Sequence, residues 1–276
     1  MWDDFEERLD ALRNAGRYRQ LRSYRTDGPY LDHDGRCESD RDRLINFGSN
    51  DYLGFAKWLS PDTPRVLGAT ASALVCGWSE SHQKLADKIA DFEATESAVL
   101  FPSGFAACSG TIATLAREGD LILSDELNHA SLIDGCRLSK ADRIVYPHRD
   151  TRHVDQRLAS TRDGYKRAWI VTDGVFSMDG HVAPLVELCD LADRYDATVV
   201  VDEAHATGIL GEAASGVCEA LGVKDRVAIR IGTLSKAIGG QGGFVACPSI
   251  VAEYLINHCR SLIFSTALAI PAVEGA

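Results

Sequence analysis

The chain has 276 residues, 45% of them hydrophobic and 25% charged, the balance of a globular protein with one large domain and part of another. A formal net charge of -11 argues against nucleic acid or an anionic membrane surface as the main partner. No run is long and apolar enough to cross a bilayer as a helix, and Asp3, Asp4, Glu6 and Glu7 stand where a secretory or mitochondrial leader would be basic or apolar.

In chain order, Trp2, Phe5, Leu9 and Leu12 recur at helical spacing and predict an amphipathic N-terminal helix docked on the body. The stretch through Gly54 is irregular and reads as an arm with small strands. Short apolar runs then alternate with helical segments. Strands are predicted at 98–101, 121–123, 144–146, 168–172, 198–201, 227–231 and 243–246, with helices opening near Ser103 and spanning about 131–139 and 185–195. This alternation predicts an α/β fold with a mostly parallel sheet and helices on both faces.

The eight cysteines, Cys37, Cys76, Cys108, Cys136, Cys189, Cys218, Cys247 and Cys259, are scattered, with no C-x-x-C pair. They predict reduced, mostly buried thiols in a cytoplasmic protein. The histidines lack metal-ligand spacing, so no metal site is expected.

Two segments carry chemistry. The run Thr198-Val199-Val200-Val201-Asp202-Glu203-Ala204-His205 is a β-branched strand ending in an acid and a histidine. Gly232-Thr233-Leu234-Ser235-Lys236-Ala237 places one lysine just past the next strand. In an α/β fold both groups fall at the carboxyl edge of the sheet, where such folds bind ligands. A lysine amine there can hold an aldehyde cofactor as a Schiff base, and a carboxylate can keep a pyridine nitrogen protonated, which is the requirement of pyridoxal phosphate chemistry. Taken alone, an Asp and a Lys so placed read more readily as a helix-capping Asp202 and a solvated loop Lys236.

Five ordered motifs decide between these readings: Ser49-Asn50-Asp51-Tyr52-Leu53-Gly54, Asn128-His129-Ala130-Ser131, the series from Thr172 to Gly180, Asp202-Glu203-Ala204-His205-Ala206-Thr207-Gly208, and the segment from Gly232 to Ala237. From about Asn46 onward the chain resembles the α-oxoamine synthases, pyridoxal-phosphate enzymes of fold type I. The resemblance implies three regions: an N-terminal helix and arm over 1–45, a cofactor-binding large domain over 46–260, and over 261–276 the start of a connection to a small C-terminal domain. That domain, roughly a hundred residues in family members, is missing from this chain.

Carried over residue by residue, the resemblance makes Lys236 the Schiff-base lysine and the base at the amino-acid Cα, and Asp202 the partner of the ring nitrogen. It makes His205, with Ser177 close by, the partner of the ring hydroxyl, and His129 the imidazole stacked on the ring. Ser103, Gly104 and Phe105 open a helix whose free N–H groups suit a phosphate, with Thr233 as a further ligand. Ser265 and Thr266 would reach that phosphate from a neighbouring subunit, which implies a homodimer. Asn50 and Arg22 match positions near the substrate.

Ser103-Gly104-Phe105-Ala106-Ala107 and the series from His129 to Lys140 are most similar to the biotin-pathway branch. This implies decarboxylative condensation of L-alanine with pimeloyl-CoA, or with a pimeloyl carrier protein. Glycine with acetyl-CoA, or a non-catalytic partner subunit, is the alternative.

Overall fold

The computed structural model describes residues 3–19, 24–27, 30–33, 44–57 and 67–276. The chain forms two compact units, Met1–Ser49 and Asn50–Ala276. In the first, helix α1 (Asp3–Asn14) precedes an antiparallel three-stranded sheet of β1 (Tyr24–Asp27), β2 (Tyr30–His33) and β3 (Leu44–Ile45).

The second unit alternates helix and strand. Helix α2 (Glu80–Glu93) leads to β4 (Ser97–Phe101), α3 (Gly104–Leu115), β5 (Leu121–Asp125), α4 (Ala130–Leu138), β6 (Asp142–Tyr146), α5 (Thr151–Thr161) and β7 (Ala168–Asp173). Then come α6 (Leu185–Tyr195), β8 (Ala197–Asp202), α7 (Val217–Ala220), β9 (Ile229–Thr233), β10 (Gly243–Cys247), α8 (Ser249–His258), α9 (Arg260–Ile263) and α10 (Ile270–Gly275). The seven strands form one sheet in the order β4-β10-β9-β8-β7-β5-β6. The neighbours from β9 through to β6 pair in parallel, while β10 runs antiparallel to both β9 and β4.

Continuous apolar runs become central strands because both sheet faces are covered. Along β7, Trp169 and Val171 join a core with Ala107, Ile112 and Leu115 of α3 and Leu132 of α4. The alternate residues Ala168 and Ile170 join a second core with Leu158 of α5 and Leu185 and Leu188 of α6. A third cluster seats Leu85 and Ile89 of α2 against Phe244 and Ala246 of β10. Each fully buried Leu or Ile contributes about 1.5–3 kcal/mol relative to exposure. Helix starts are fixed locally: Ser79 and His82 form a reciprocal capping box on α2, and Asp150 caps α5.

One charge breaks the apolar strand pattern. Arg230 lies inside β9, 3% exposed, and its guanidinium donates to Glu93 Oε2 at 3.0 Å, a carboxylate that is itself fully buried. Further bonds to the carbonyls of Glu93, Lys224 and Val227 use three more of its five N–H donors and tie the end of α2 to the start of β9. Burial pushes the Glu93 carboxyl up, against the pull of Arg230. Removing one partner strands a buried charge. Arg230→Met is therefore expected to destabilise the protein by about 3–5 kcal/mol in urea unfolding, and pairing it with Glu93→Leu should recover most of that loss.

Candidate active site

The strand ends deliver polar groups to one edge of the sheet. Ser103 and Gly104 follow β4, Asn128 and His129 follow β5, Asp173 ends β7, Asp202 ends β8 with His205 just beyond, and Thr233 ends β9 with Lys236 just beyond. Parallel register places Asp173 directly beside Asp202.

Asp202 is 5% exposed. Its Oδ1 accepts from the Ala204 N–H at 2.9 Å, and its Oδ2 accepts from the Cys108 thiol at 3.1 Å. Burial, then the charge of Asp202, pushes the Cys108 thiol well up, so it stays a protonated donor. Among the described residues no ion pair joins Asp202 to a cation.

Asp173 Oδ2 accepts from the His129 N–H at 2.6 Å, and its own N–H donates to Asn128 Oδ1 at 3.0 Å. Asn128 Nδ2 donates to Ser124 Oγ and to the Val171 carbonyl, locking the β5 loop to β7. Burial, then the neighbouring Asp202, pushes the Asp173 carboxyl up to about 8.

Lys236 Nζ lies 2.9 Å from His205 Nε2. Burial lowers the lysine against the opposing pull of Asp202, Cys108 and Asp173. His205 is lowered to about 4, first by burial and then by the lysine charge. Its other nitrogen, Nδ1, lies 2.8 Å from the Tyr52 hydroxyl, which donates to Asn50 Oδ1 at 3.0 Å.

His129 caps α4: its Nδ1 accepts from the Ser131 N–H at 3.3 Å and lies 2.7 Å from Ser131 Oγ. The Phe105 ring meets it edge-on with centroids 6.5 Å apart.

At the start of α3, Ser103 Oγ accepts from the Ala106 N–H at 3.1 Å and the Ser103 carbonyl from Ala107. The N–H groups of Gly104 and Phe105 stay outside the helix ladder, at its positive end. A Cβ on Gly104 would lie 3.1 Å from the Thr233 side chain, and one on Gly243 only 2.6 Å from the Gly104 nitrogen. Two glycines thus let the helix start approach the ends of β9 and β10. The Thr233 hydroxyl donates to the Gly242 carbonyl at 2.9 Å and lies 2.8 Å from Ser235 Oγ.

The structure therefore links Lys236, His205, Tyr52 and Asn50 by hydrogen bonds, with Asp202 and Asp173 within electrostatic reach of Lys236 and His129 held by Asp173, and sets Ser103, Gly104 and Phe105 at the start of α3 beside Thr233. Ser177 is exposed in the turn after β7 and, among the described residues, makes no hydrogen bond to His205. Thr266 forms an isolated bridge with Ser72, Ser265 precedes it after α9, and neither contacts the cluster. Arg22 lies outside the described residues.

Three participants escape sequence reasoning. Tyr52 and Asp173 sit inside recognised motifs but carry no assigned role there. Cys108 reads as a small hydrophobe, and only its place one turn into α3 brings it to Asp202.

The Aminotransferase class I and II family matches residues 42–276, and the chain belongs to that family. It is 47% identical to 8-amino-7-oxononanoate synthase 2 of Bacillus subtilis (strain 168), over 95% of this chain and 67% of that protein. It is 43% identical to 8-amino-7-oxononanoate synthase of Lysinibacillus sphaericus, over 100% of this chain and 71% of that protein. Among solved structures it is similar to a lysine-to-alanine variant of serine palmitoyltransferase from S. paucimobilis with a bound PLP–myriocin aldimine, at TM-score 0.88 and 28% identity, covering 99% of this chain and 70% of that one. The 8-amino-7-oxononanoate synthase of Francisella tularensis superposes with TM-score 0.66 and 29% identity, covering 84% of this chain and 67% of that one.

The depressed His205 gives a signed pH dependence. The unfolded imidazole takes a proton below its ordinary value of 6.5, while the folded one waits until about 4. Stability should fall as pH drops through this window. Chemical denaturation from pH 7 to 4 should show that slope reduced in His205→Asn, and NMR titration should place the imidazole midpoint near the lower value.

Proposed function

We propose that this protein is a pyridoxal-phosphate-dependent acyltransferase that condenses L-alanine with pimeloyl-CoA, or the pimeloyl carrier protein, to give 8-amino-7-oxononanoate with loss of carbon dioxide and the thiol carrier, a step of biotin synthesis. The observation that carries the reading is a buried carboxylate, Asp202, which makes no ion pair among the described residues and shares its sheet edge with a desolvated lysine. A cationic pyridine ring is the kind of group that completes such a site. The relatives' names support the choice of substrates.

The donor set fits the cofactor. Lys236 would hold its aldehyde carbon, Asp202 its ring nitrogen, and His205 its ring hydroxyl, with Ser177 nearby. His129 would stack on its ring. The start of α3 at Ser103, Gly104 and Phe105 would hold its phosphate with Thr233, and a second copy of this chain would add Ser265 and Thr266. When bound, it supplies an electron sink for the carbanion at the amino-acid Cα.

The protein's own part is positional and electrostatic. Burial lowers the Lys236 ammonium from its ordinary value, which favours the amine as the nucleophile that would hold the aldehyde. The thiol of Cys108 and the N–H of Ala204 aim the Asp202 carboxylate. Asp173 holds the His129 backbone, and with it the face of the site. Asn50 would lie toward the substrate in this reading, and the resemblance gives Arg22, outside the described residues, a substrate role. In this reading Lys236 would take the proton from the amino-acid Cα and return it after carbon dioxide is lost.

With PLP added, the protein should turn yellow, and borohydride should fix the label on Lys236. Asp202→Asn should keep the bound colour while lowering turnover at least about a hundredfold, as measured by free-thiol release. Alanine with pimeloyl-CoA should exceed glycine with acetyl-CoA, by a degree set by pocket contacts of about 1–3 kcal/mol. The reverse order would assign the chain to a different branch of the family.

A further inference from the structure

We infer that Tyr52 is a positioning residue for the reactive lysine: its hydroxyl fixes the ring proton of His205 on Nδ1 and so turns Nε2, as an acceptor, toward Lys236. The inference rests on Lys236 and His205 belonging to the reactive centre, but the contacts exist without any cofactor. Three distances define the chain: Asn50 Oδ1 to Tyr52 Oη at 3.0 Å, Tyr52 Oη to His205 Nδ1 at 2.8 Å, and His205 Nε2 to Lys236 Nζ at 2.9 Å.

The direction of the protons follows from the first link. Asn50 presents a carbonyl oxygen, which only accepts, so the single tyrosine proton is committed to it. The Tyr52 oxygen must then accept, and only a protonated Nδ1 can donate to it. A neutral imidazole carrying its proton on Nδ1 has a lone pair on Nε2. Burial, the largest cause, lowers this imidazole to about 4 and keeps it neutral across the physiological range. Lys236 is therefore the donor in the last link.

This matters for nucleophilicity. A neutral amine has two N–H bonds and one lone pair. Donating an N–H to Nε2 leaves the lone pair free to attack a carbonyl carbon. The opposite tautomer would point Nε2–H at that lone pair and occupy it. The other groups facing this pair are Asp202, Asp173, Cys108 and His129. Among the described residues only Tyr52 hydrogen-bonds the Nδ1 atom.

The test is Tyr52→Phe, at a residue 44% exposed, so that folding is retained and can be checked by thermal melting. In cofactor-free protein, 15N NMR of the histidine ring should show the proton on Nδ1 in wild type and a shift toward Nε2 in Tyr52→Phe. Stopped-flow capture of pyridoxal phosphate by cofactor-free protein should slow about fivefold, the worth of one neutral hydrogen bond. Asn50→Leu should behave as Tyr52→Phe, and Asn50→Asp, which keeps an acceptor, should restore the wild-type tautomer. A wild-type His205 protonated on Nε2, or a tautomer unchanged in Tyr52→Phe, would overturn the inference. A tautomer that moves without slowing capture would overturn its link to Lys236. If pyridoxal phosphate never attaches to wild-type Lys236, the proposed function fails instead, while the NMR comparison still decides the role of Tyr52.

Discussion

Two carboxylates side by side in a nearly dry place set the terms for the rest of the site. The parallel register of β7 and β8 pairs Asp173 directly with Asp202 on neighbouring strands. Both are buried, so neither can shed its charge into water. The fold resolves the conflict asymmetrically. Asp202 receives a backbone N–H and a thiol as donors, while Asp173 is pushed up to about 8 and keeps its proton at neutral pH. The strand order then matters. Because β9 is the other neighbour of β8, the residues after it bring Lys236 to the same edge, and the lysine charge lowers Asp173 while Asp202 and Asp173 raise Lys236. Burial wins over these attractions at the lysine, and a depressed ammonium is the result.

Beneath this edge the sheet obeys ordinary packing rules, and those parts are legible in the sequence. Runs such as Thr198-Val199-Val200-Val201 are β-branched and continuous because both faces of a parallel strand are covered. The observed α6 coincides with the helical periodicity of 185–195. Strand direction is different. Nothing in Gly243-Phe244-Val245-Ala246 distinguishes an antiparallel strand inserted between β4 and β9 from one more parallel strand, because pairing direction depends on where the chain returns rather than on side-chain pattern. Arg230 stands inside the apolar run 227–231. Its partner lies 137 positions away at the end of a helix, beyond what periodicity can reach.

The site was legible to the extent that its chemistry is carried by side chains in recognisable strings. Lys236, Asp202, His205 and His129 fall into that class. Tyr52 and Cys108 do not, because they act through others. A tyrosine in Asp51-Tyr52-Leu53 becomes informative only when folding brings His205 to it across 153 positions. Cys108 meets Asp202 only because α3 packs across the sheet. The same packing requires glycine at positions 104 and 243, so residues that look like loop punctuation are spacing devices for a helix start.

These arrangements also say why the site is poised for a cation. A carboxyl group whose folded value is raised from 3.8 to about 8 favours the folded state while protonated, and that advantage is lost as pH rises through this interval. At neutral pH the pair Asp173 and Asp202 is therefore a local source of instability, tolerated because the surrounding hydrogen bonds over-determine both side chains. A positive charge seated against Asp202 would offset part of that cost by attraction, without any movement of the strands. Such a charge would lower both carboxyl groups, as the lysine charge already does for Asp173. It needs no closing loop and no rearranged core, only the register that put two acids at adjacent strand ends.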